Sequence, residues 1–224
     1  MNNLKFVVLA ITGQLTISLL LAVLVTSKTR LSDFLKTVYF IPLLTSSVAV
    51  ATLWSFIYHP TFGLLNAFLE KLGLDFLILD WLGSSKSALY AVIAAINWRF
   101  IPFYMILFIA AIVGIPKRLY EAAEIDGASA FQSFWYITLP QLKNTIINAT
   151  VLILVGSLKY FDIVFTMTQG GPNHSSELLA TYMYLKTFFD FRMGYGSAIA
   201  VSLFILAFVT SFVLLKLTKK DIRN

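Results

Sequence analysis

Long apolar runs alternate with short polar connections along this chain, and within each run the apolar residues are continuous rather than alternating. A helical membrane span takes about 20 mostly apolar residues. Five stretches reach that length, at 4–26, 37–58, 87–113, 144–168 and 195–217. The runs lack the in–out alternation of a membrane β-barrel, so the spans are predicted to be helical. Residues 59–86, "HPTFGLLNAFLEKLGLDFLILDWLGSSK", form a longer connection with a short amphipathic helix expected at 64–72. A second connection opens with the turn-rich "QGGPNHSS". It continues as "ELLATYMYLKTFFDF", too polar for a span and expected as a helix at the membrane interface. Residues 1–26 place Lys5 before an apolar run, as a signal peptide does. That run exceeds a signal core, carries Gln14, Thr16 and Ser18, and lacks a small-x-small cleavage pattern, so it reads as a span.

The polar stretch 114–143 has a helix-turn-helix pattern of its own. Pro116 suits the first turn of a helix. "KRLYEAAEID" follows, rich in helix formers. Gly127 is placed as a C-cap because it tolerates positive φ. Ser129 and Gln132 have the spacing of a capping box. A second helix then carries Phe131, Phe134, Trp135 and Ile137, and Pro140 marks the start of the fourth span. Ala122 and Ala123 form a small-residue patch beside Glu121, Glu124 and Asp126. These residues alone read either as a docking knob for a cytoplasmic protein or as a solvated connector.

Composition narrows the class. The chain of 224 residues is 58% hydrophobic and 12% charged, about half the charge of a soluble domain, with a mean hydropathy of +0.82. It is an all-α, polytopic membrane protein forming one domain over 1–224. With no cysteine it has no disulfide and no thiolate chemistry. His59 and His174 are too few and too far apart for a metal cluster, so no metal site and no catalytic residue is expected. The chain has no G-x-x-x-x-G-K-[ST] loop, so it is not itself a P-loop motor. Lys28, Arg30, Lys36, Lys117, Arg118, Lys143, Lys216, Lys219, Lys220 and Arg223 lie on one side of the predicted spans. Lys5, Lys71, Lys86, Lys186 and Arg192 lie on the other. The excess of cations predicts the first side, with the C-terminus, in the cytoplasm and the N-terminus outside.

Three charges fall inside the spans, where they mark function by default. Arg99, in "INWRFIPF", lies near the middle of the third span and reads either as a cavity residue or as a structural one. Pro102 nearby is expected to bend that helix and free a carbonyl. Lys159 and Asp162, three residues apart, are expected to pair on one helix face.

"EAAEIDGASAFQSFWYITLP" resembles the EAA loop of binding-protein-dependent ABC importer permeases. Glu121-Ala122-Ala123, Asp126-Gly127 and Ile137-Thr138-Leu139-Pro140 follow that family's spacing. Asn144 departs from it, where many members have a further proline. "YFIPLLTSSVAVATLW", "TFGLLN", "FDIVFTMTQGGP" and "GYGSAIAVSLF" are similar to the sugar-importer branch, so the resemblance covers nearly the whole chain. Against that pattern the chain enters at the second span, without the usual first helix.

The resemblance implies a type I importer transmembrane domain of about five spans with a cytoplasmic coupling helix within 114–143. The activity implied is ATP-driven import of a sugar, oligosaccharide or polyol phosphate across a bacterial or archaeal cytoplasmic (inner) membrane. The implied partners are two ATPase subunits holding ATP and Mg, a second and different permease subunit, and an extracytoplasmic solute-binding protein. The chain itself needs no cofactor and no nucleic acid. Glu121, Ala122, Ala123, Asp126 and Gly127 are implied as the ATPase-coupling residues. Ser46, Arg99, Phe100, Ser157 and Tyr160 are implied as the solute pathway, where aromatics stack on sugar rings and polar groups bond hydroxyls. A stand-alone secondary transporter or channel is the rival reading, disfavoured because Asp162 with Lys159 beside it makes a poor coupling-ion site.

Overall fold

The computed structural model describes residues 1–26 and 39–222, with side chains described as far as Lys216. The connection 27–36, whose cations entered the charge count, lies outside the described residues, as do Arg223 and the side chains of Lys219 and Lys220. Helix α1 spans Asn2–Thr26. A helical segment over 39–44 precedes α2, Ser47–Ile57. Helix α3 is Leu64–Lys71, at the place expected for a short amphipathic helix, and α4 is Ala88–Val113. Helix α5, Lys117–Ile125, is followed by α6, Ala130–Gln141, which contains a π turn at Phe134–Thr138. Then come α7, Lys143–Lys159, and α8, Asp162–Thr168. Helix α9, Leu179–Tyr184, runs into a π turn at Leu185–Phe189, and α10 is Met193–Ile222.

Helix α4 supplies most of the buried core and packs chiefly against α1, which in turn packs against α7. Helix α1 is mostly apolar with no single apolar face, as suits a helix in lipid. Its buried residues Phe6, Ala10, Gln14, Ser18, Ala22 and Val25 nevertheless form one stripe at close to four-residue spacing. Lipid tails are as apolar as leucine, so helices in a membrane are held by close packing and inter-helix hydrogen bonds. Gly13 provides the close packing, because a Cβ there would lie 2.5 Å from Asn97 Nδ2. Gln14 Nε2 donates to Asn97 Oδ1 at 2.9 Å, and Asn97 Nδ2 donates to the Leu9 carbonyl at 3.4 Å. A polar pair of this kind contributes roughly 0.6 kcal/mol.

Among the described residues three helices are long and apolar enough to cross a membrane: α1, α4 and Met193–Lys216 of α10. A fourth results if α6 and α7, bent by 64° at Leu142, count as one span. The second and fourth expected spans are not single helices. Helix 39–44 stops at Thr45, and Ser46, at φ −62° and ψ 150°, restarts it as the N-cap of α2. The span expected over 144–168 breaks at Tyr160 (φ −66°, ψ 125°) and Phe161 (φ −132°, ψ −58°). Continuous apolarity reports depth in the membrane and is blind to such breaks, because a residue in either conformation is equally oily.

At the end of the bundle where α1 begins, the connections knit together through side-chain amides. Asn2 Nδ2 donates to the carbonyls of His174 and Glu177 at 2.9 and 3.0 Å, and Asn3 Oδ1 accepts from Leu179 N–H at 2.9 Å. The 59–86 connection is organised by Asn66, which is buried. Its Nδ2 donates to Leu79 O at 3.0 Å and Pro60 O at 3.3 Å, and its Oδ1 accepts from Trp81 Nε1 at 2.8 Å. Asn66→Ala strands the Trp81 indole N–H and the Leu79 carbonyl, at about 1–3 kcal/mol for a buried group left unpaired. Thermal unfolding of the purified protein in detergent is expected to show a lower midpoint for Asn66→Ala, and an unchanged midpoint would contradict this role.

Candidate functional site

Two groups of residues stand out, one on the 114–143 segment and one at the breaks between helices. In the first, α5 projects from the bundle with none of its residues buried, and Ile125 is 86% exposed. Glu121, Ala122, Glu124, Asp126 and Gly127 are exposed, and Ala123 is half-buried. The sequence logic of this segment is carried out by its backbone. Gly127 adopts φ +77°. Its N–H donates to Glu124 O at 3.0 Å while Ala128 N–H donates to Ala123 O at 2.9 Å, the paired bonds of a Schellman motif. The next helix opens on a full capping box. Gln132 N–H donates to Ser129 Oγ at 3.3 Å, and Ser129 N–H donates to Gln132 Oε1 at 2.7 Å. Tyr120 Oη and Thr138 Oγ1 share a hydrogen bond at 2.8 Å, which ties α5 back onto the π turn of α6. An exposed helix sealed at its end and clamped at its side can transmit a displacement as a unit.

The second group surrounds two adjoining cavities. The smaller, about 50 Å³, is bounded by Gln14, Phe100, Tyr104, Gly156, Ser157 and Tyr160 among others. The larger, about 240 Å³, is bounded by Ser47, Arg99, Phe100, Lys159, Tyr160 and Asp162 among others. Phe100, Gly156 and Tyr160 belong to both. Four of the five expected pathway residues, Arg99, Phe100, Ser157 and Tyr160, therefore meet. Phe100 and Tyr160 are edge to face, with centroids 5.7 Å apart. Arg99 lies over the Phe100 ring at 5.4 Å and donates from Nη1 to Ser47 Oγ. Its Nε is buried with no hydrogen-bond partner among the described residues.

Ser46 does not join this group. Its hydroxyl caps α2 by accepting from Ala49 N–H at 3.2 Å, and Ser47, one residue on, turns to the cavity instead. The expected Lys159–Asp162 pair is also corrected, since among the described residues no ion pair joins them. The reason is the break at Tyr160–Phe161, which removes the continuous helix face that a three-residue spacing assumes. Lys159 instead occupies the last turn of α7 and Asp162 the first turn of α8. A cation at a helix C-terminus and an acid at an N-terminus each complement the helix dipole. Ser47, Asn97 and Gly156 were not singled out from the sequence. Asn97 carried the available signal, as an amide in an apolar run, whereas Ser47 and Gly156 are ordinary residues of helix interfaces.

Comparison with known proteins is consistent along the chain. A family model described as the binding-protein-dependent transport system inner membrane component matches residues 14–220. A Pyrococcus horikoshii protein named as a probable ABC transporter permease is 42% identical over 208 residues, covering 93% of this chain and 71% of that one. The trehalose/maltose transport system permease protein MalF of Thermococcus litoralis is 33% identical over 214 residues, covering 95% and 70%. In structure the chain is similar to one from a bacterial alginate ABC transporter crystallised with an alginate pentasaccharide-bound periplasmic protein. The TM-score is 0.89 at 24% identity, over 98% of this chain and 77% of that one.

No atom lies within 4 Å of a Cβ built on Gly127, so only its backbone angle demands glycine. Gly127→Ala is expected to cost about 1 kcal/mol locally by forcing an L-residue into the left-handed region. Hydrogen exchange at the amides of positions 127 and 128 is expected to rise roughly fivefold, the equivalent of that energy, with α4 unaffected. Unchanged exchange at both amides would contradict the Schellman closure.

Proposed function

The chain belongs to the binding-protein-dependent transport system inner membrane component family, and on that premise we propose that it forms half of the membrane pathway of an ATP-driven importer for a sugar, oligosaccharide or polyol phosphate. The observation that carries this reading is one of connectivity. The exposed helix α5 is joined on one side to α4, which bears Arg99 and Phe100, and through α6 to α7, which bears Ser157 and Tyr160. Arg99 lies 14 residues from the loop end of α4 at Val113, and Ser157 lies 14 residues from the loop end of α7 at Lys143. At 1.5 Å per residue both stand about 21 Å along their helices from the loop. A force on α5 therefore acts on both walls of the cavity at equal depth.

In this reading α5 is the coupling helix. Ala122 and Ala123 let an ATPase surface approach the backbone, and Glu121, Glu124 and Asp126 make polar contacts around them. Two ATPase subunits bind ATP and Mg, and closure of their dimer moves α5 as a rigid piece. The clamp between Tyr120 and Thr138 passes that motion to α6, and the 64° bend at Leu142 converts it into a tilt of α7. A second, different permease subunit completes the pathway, and an extracytoplasmic binding protein delivers the solute. In this reading the N-terminus is outside and the C-terminus in the cytoplasm, as the excess of cations on that side supports. Phe100 and Tyr160 supply ring-stacking faces for a sugar, while Ser157 and Arg99 bond its oxygens.

Glu121→Lys and Gly127→Trp are expected to weaken co-purification with the ATPase about tenfold, the scale of losing a central interface contact, and to reduce solute-stimulated ATP hydrolysis. Full assembly and full stimulation in both variants would sink the coupling assignment. Tyr160→Ala is expected to slow uptake with ATPase docking intact, and normal uptake would remove Tyr160 from the pathway.

A further inference from the structure

Three charges line the larger cavity, Arg99, Lys159 and Asp162, leaving it with one net positive charge. Lys159 and Asp162 each sit at a helix end of complementary polarity, in the last turn of α7 and the first turn of α8. Arg99 has no such support. It lies inside α4, far from either end of that helix. The hydrogen-bond partners of its guanidinium among the described residues are neutral hydroxyls, those of Ser47 and Tyr160. Ser47 is the first residue of α2, so the positive end of that helix adds to the field of Arg99 rather than offsetting it. Among the described residues no carboxylate pairs with Arg99, and its Nε is buried without an acceptor. A charge at membrane depth that is neither paired nor at a helix end marks a ligand or ion pathway.

We propose that the solute passing this cavity is an acidic one, bearing a carboxylate or a phosphate, and that Arg99 receives its anionic oxygen; this rests on the importer reading above. A neutral hydroxyl would satisfy the Nε hydrogen bond but leave the charge and the helix end uncompensated. A carboxylate or phosphate oxygen answers all three, and the planar guanidinium is the side chain best matched to such groups. The Phe100 ring, its centroid 5.4 Å from Arg99 Cζ, adds a cation–π contact that favours keeping the guanidinium charged there. At about 240 Å³ the cavity admits one acidic sugar unit or a polyol phosphate, being close to the lower limit of about 300 Å³ for small-ligand sites.

The test uses the complete importer, with its ATPase, second permease and binding protein, reconstituted in proteoliposomes. Uptake is measured for radiolabelled trigalacturonate, glycerol 3-phosphate and maltotriose. One of the two acidic probes is expected to enter at least about tenfold faster than the neutral trisaccharide, as in sites built around a specific polar partner. Which of the two enters identifies carboxylate or phosphate. Arg99→Gln is expected to lower that uptake about tenfold or more, with Arg99→Lys retaining part of it. Uptake of maltotriose equal to or faster than both acidic probes overturns the inference, as does entry of neither acidic probe. It is equally overturned if Arg99→Gln prevents pairing with the second permease in size-exclusion chromatography, since the counter-charge then lies on that subunit. In each of these cases the importer reading stands if uptake of any probe remains dependent on ATP and the binding protein. Flux that needs neither sinks the importer reading instead.

Discussion

A helix that breaks inside a bilayer exposes backbone groups where no water can reach them, and each of those groups must find a partner within the protein. Much of this molecule follows from how that requirement is met. The break before α2 is closed by the Ser46 hydroxyl on Ala49 N–H. The break between α7 and α8 is flanked by Lys159 and Asp162, whose charges oppose the dipoles of the two helix ends. Pro102 removes one bond from α4, yet the helix runs unbroken from Ala88 to Val113. The first two breaks and Arg99, three residues before Pro102, border one cavity. Lys159 and Asp162, the charges at the second break, thereby also line the cavity, while Ser46 closes the first break and leaves its neighbour Ser47 to face it.

The opposite end of the bundle works by different physics. Helix α5 has no buried residue, so its order comes from its termini and one side contact rather than from a core. The Schellman turn at Gly127, the capping box at Ser129 and the Tyr120–Thr138 hydrogen bond hold it without packing. An exposed helix of this kind stays open to a partner while remaining stiff enough to pass on a push. In a family whose members are membrane components of binding-protein-dependent transport, that combination leaves an exposed, capped helix connected in sequence to helices on both sides of a cavity.

The local structure of the 114–143 segment was almost fully legible in the sequence because its signals are local. Positive φ at a glycine, a Ser-x-x-Gln box and a run of helix formers act within a few residues, and the backbone adopts each of them. The cavity was legible in part. Arg99 and Tyr160 stand out as polar or amphipathic groups in oily runs, and they do converge. Ser46, implied by the resemblance, sits at a break and caps α2 instead of lining the cavity, and the Lys159–Asp162 pairing assumed an unbroken helix, whereas a single non-helical residue rotates or translates everything after it.

The sequence by itself determined the helical class, the apolar runs that carry the long helices, and the capped polar segment, since all three arise from short-range composition and spacing. Where the runs break, which of two adjacent serines faces inward, and the contact of Gln14 and Gly13 with Asn97 were decided only in three dimensions. The reason is that lipid does not distinguish one apolar face from another. Inside a membrane the facing of a helix is chosen by its neighbours, through the few small and polar residues at which two helices can touch.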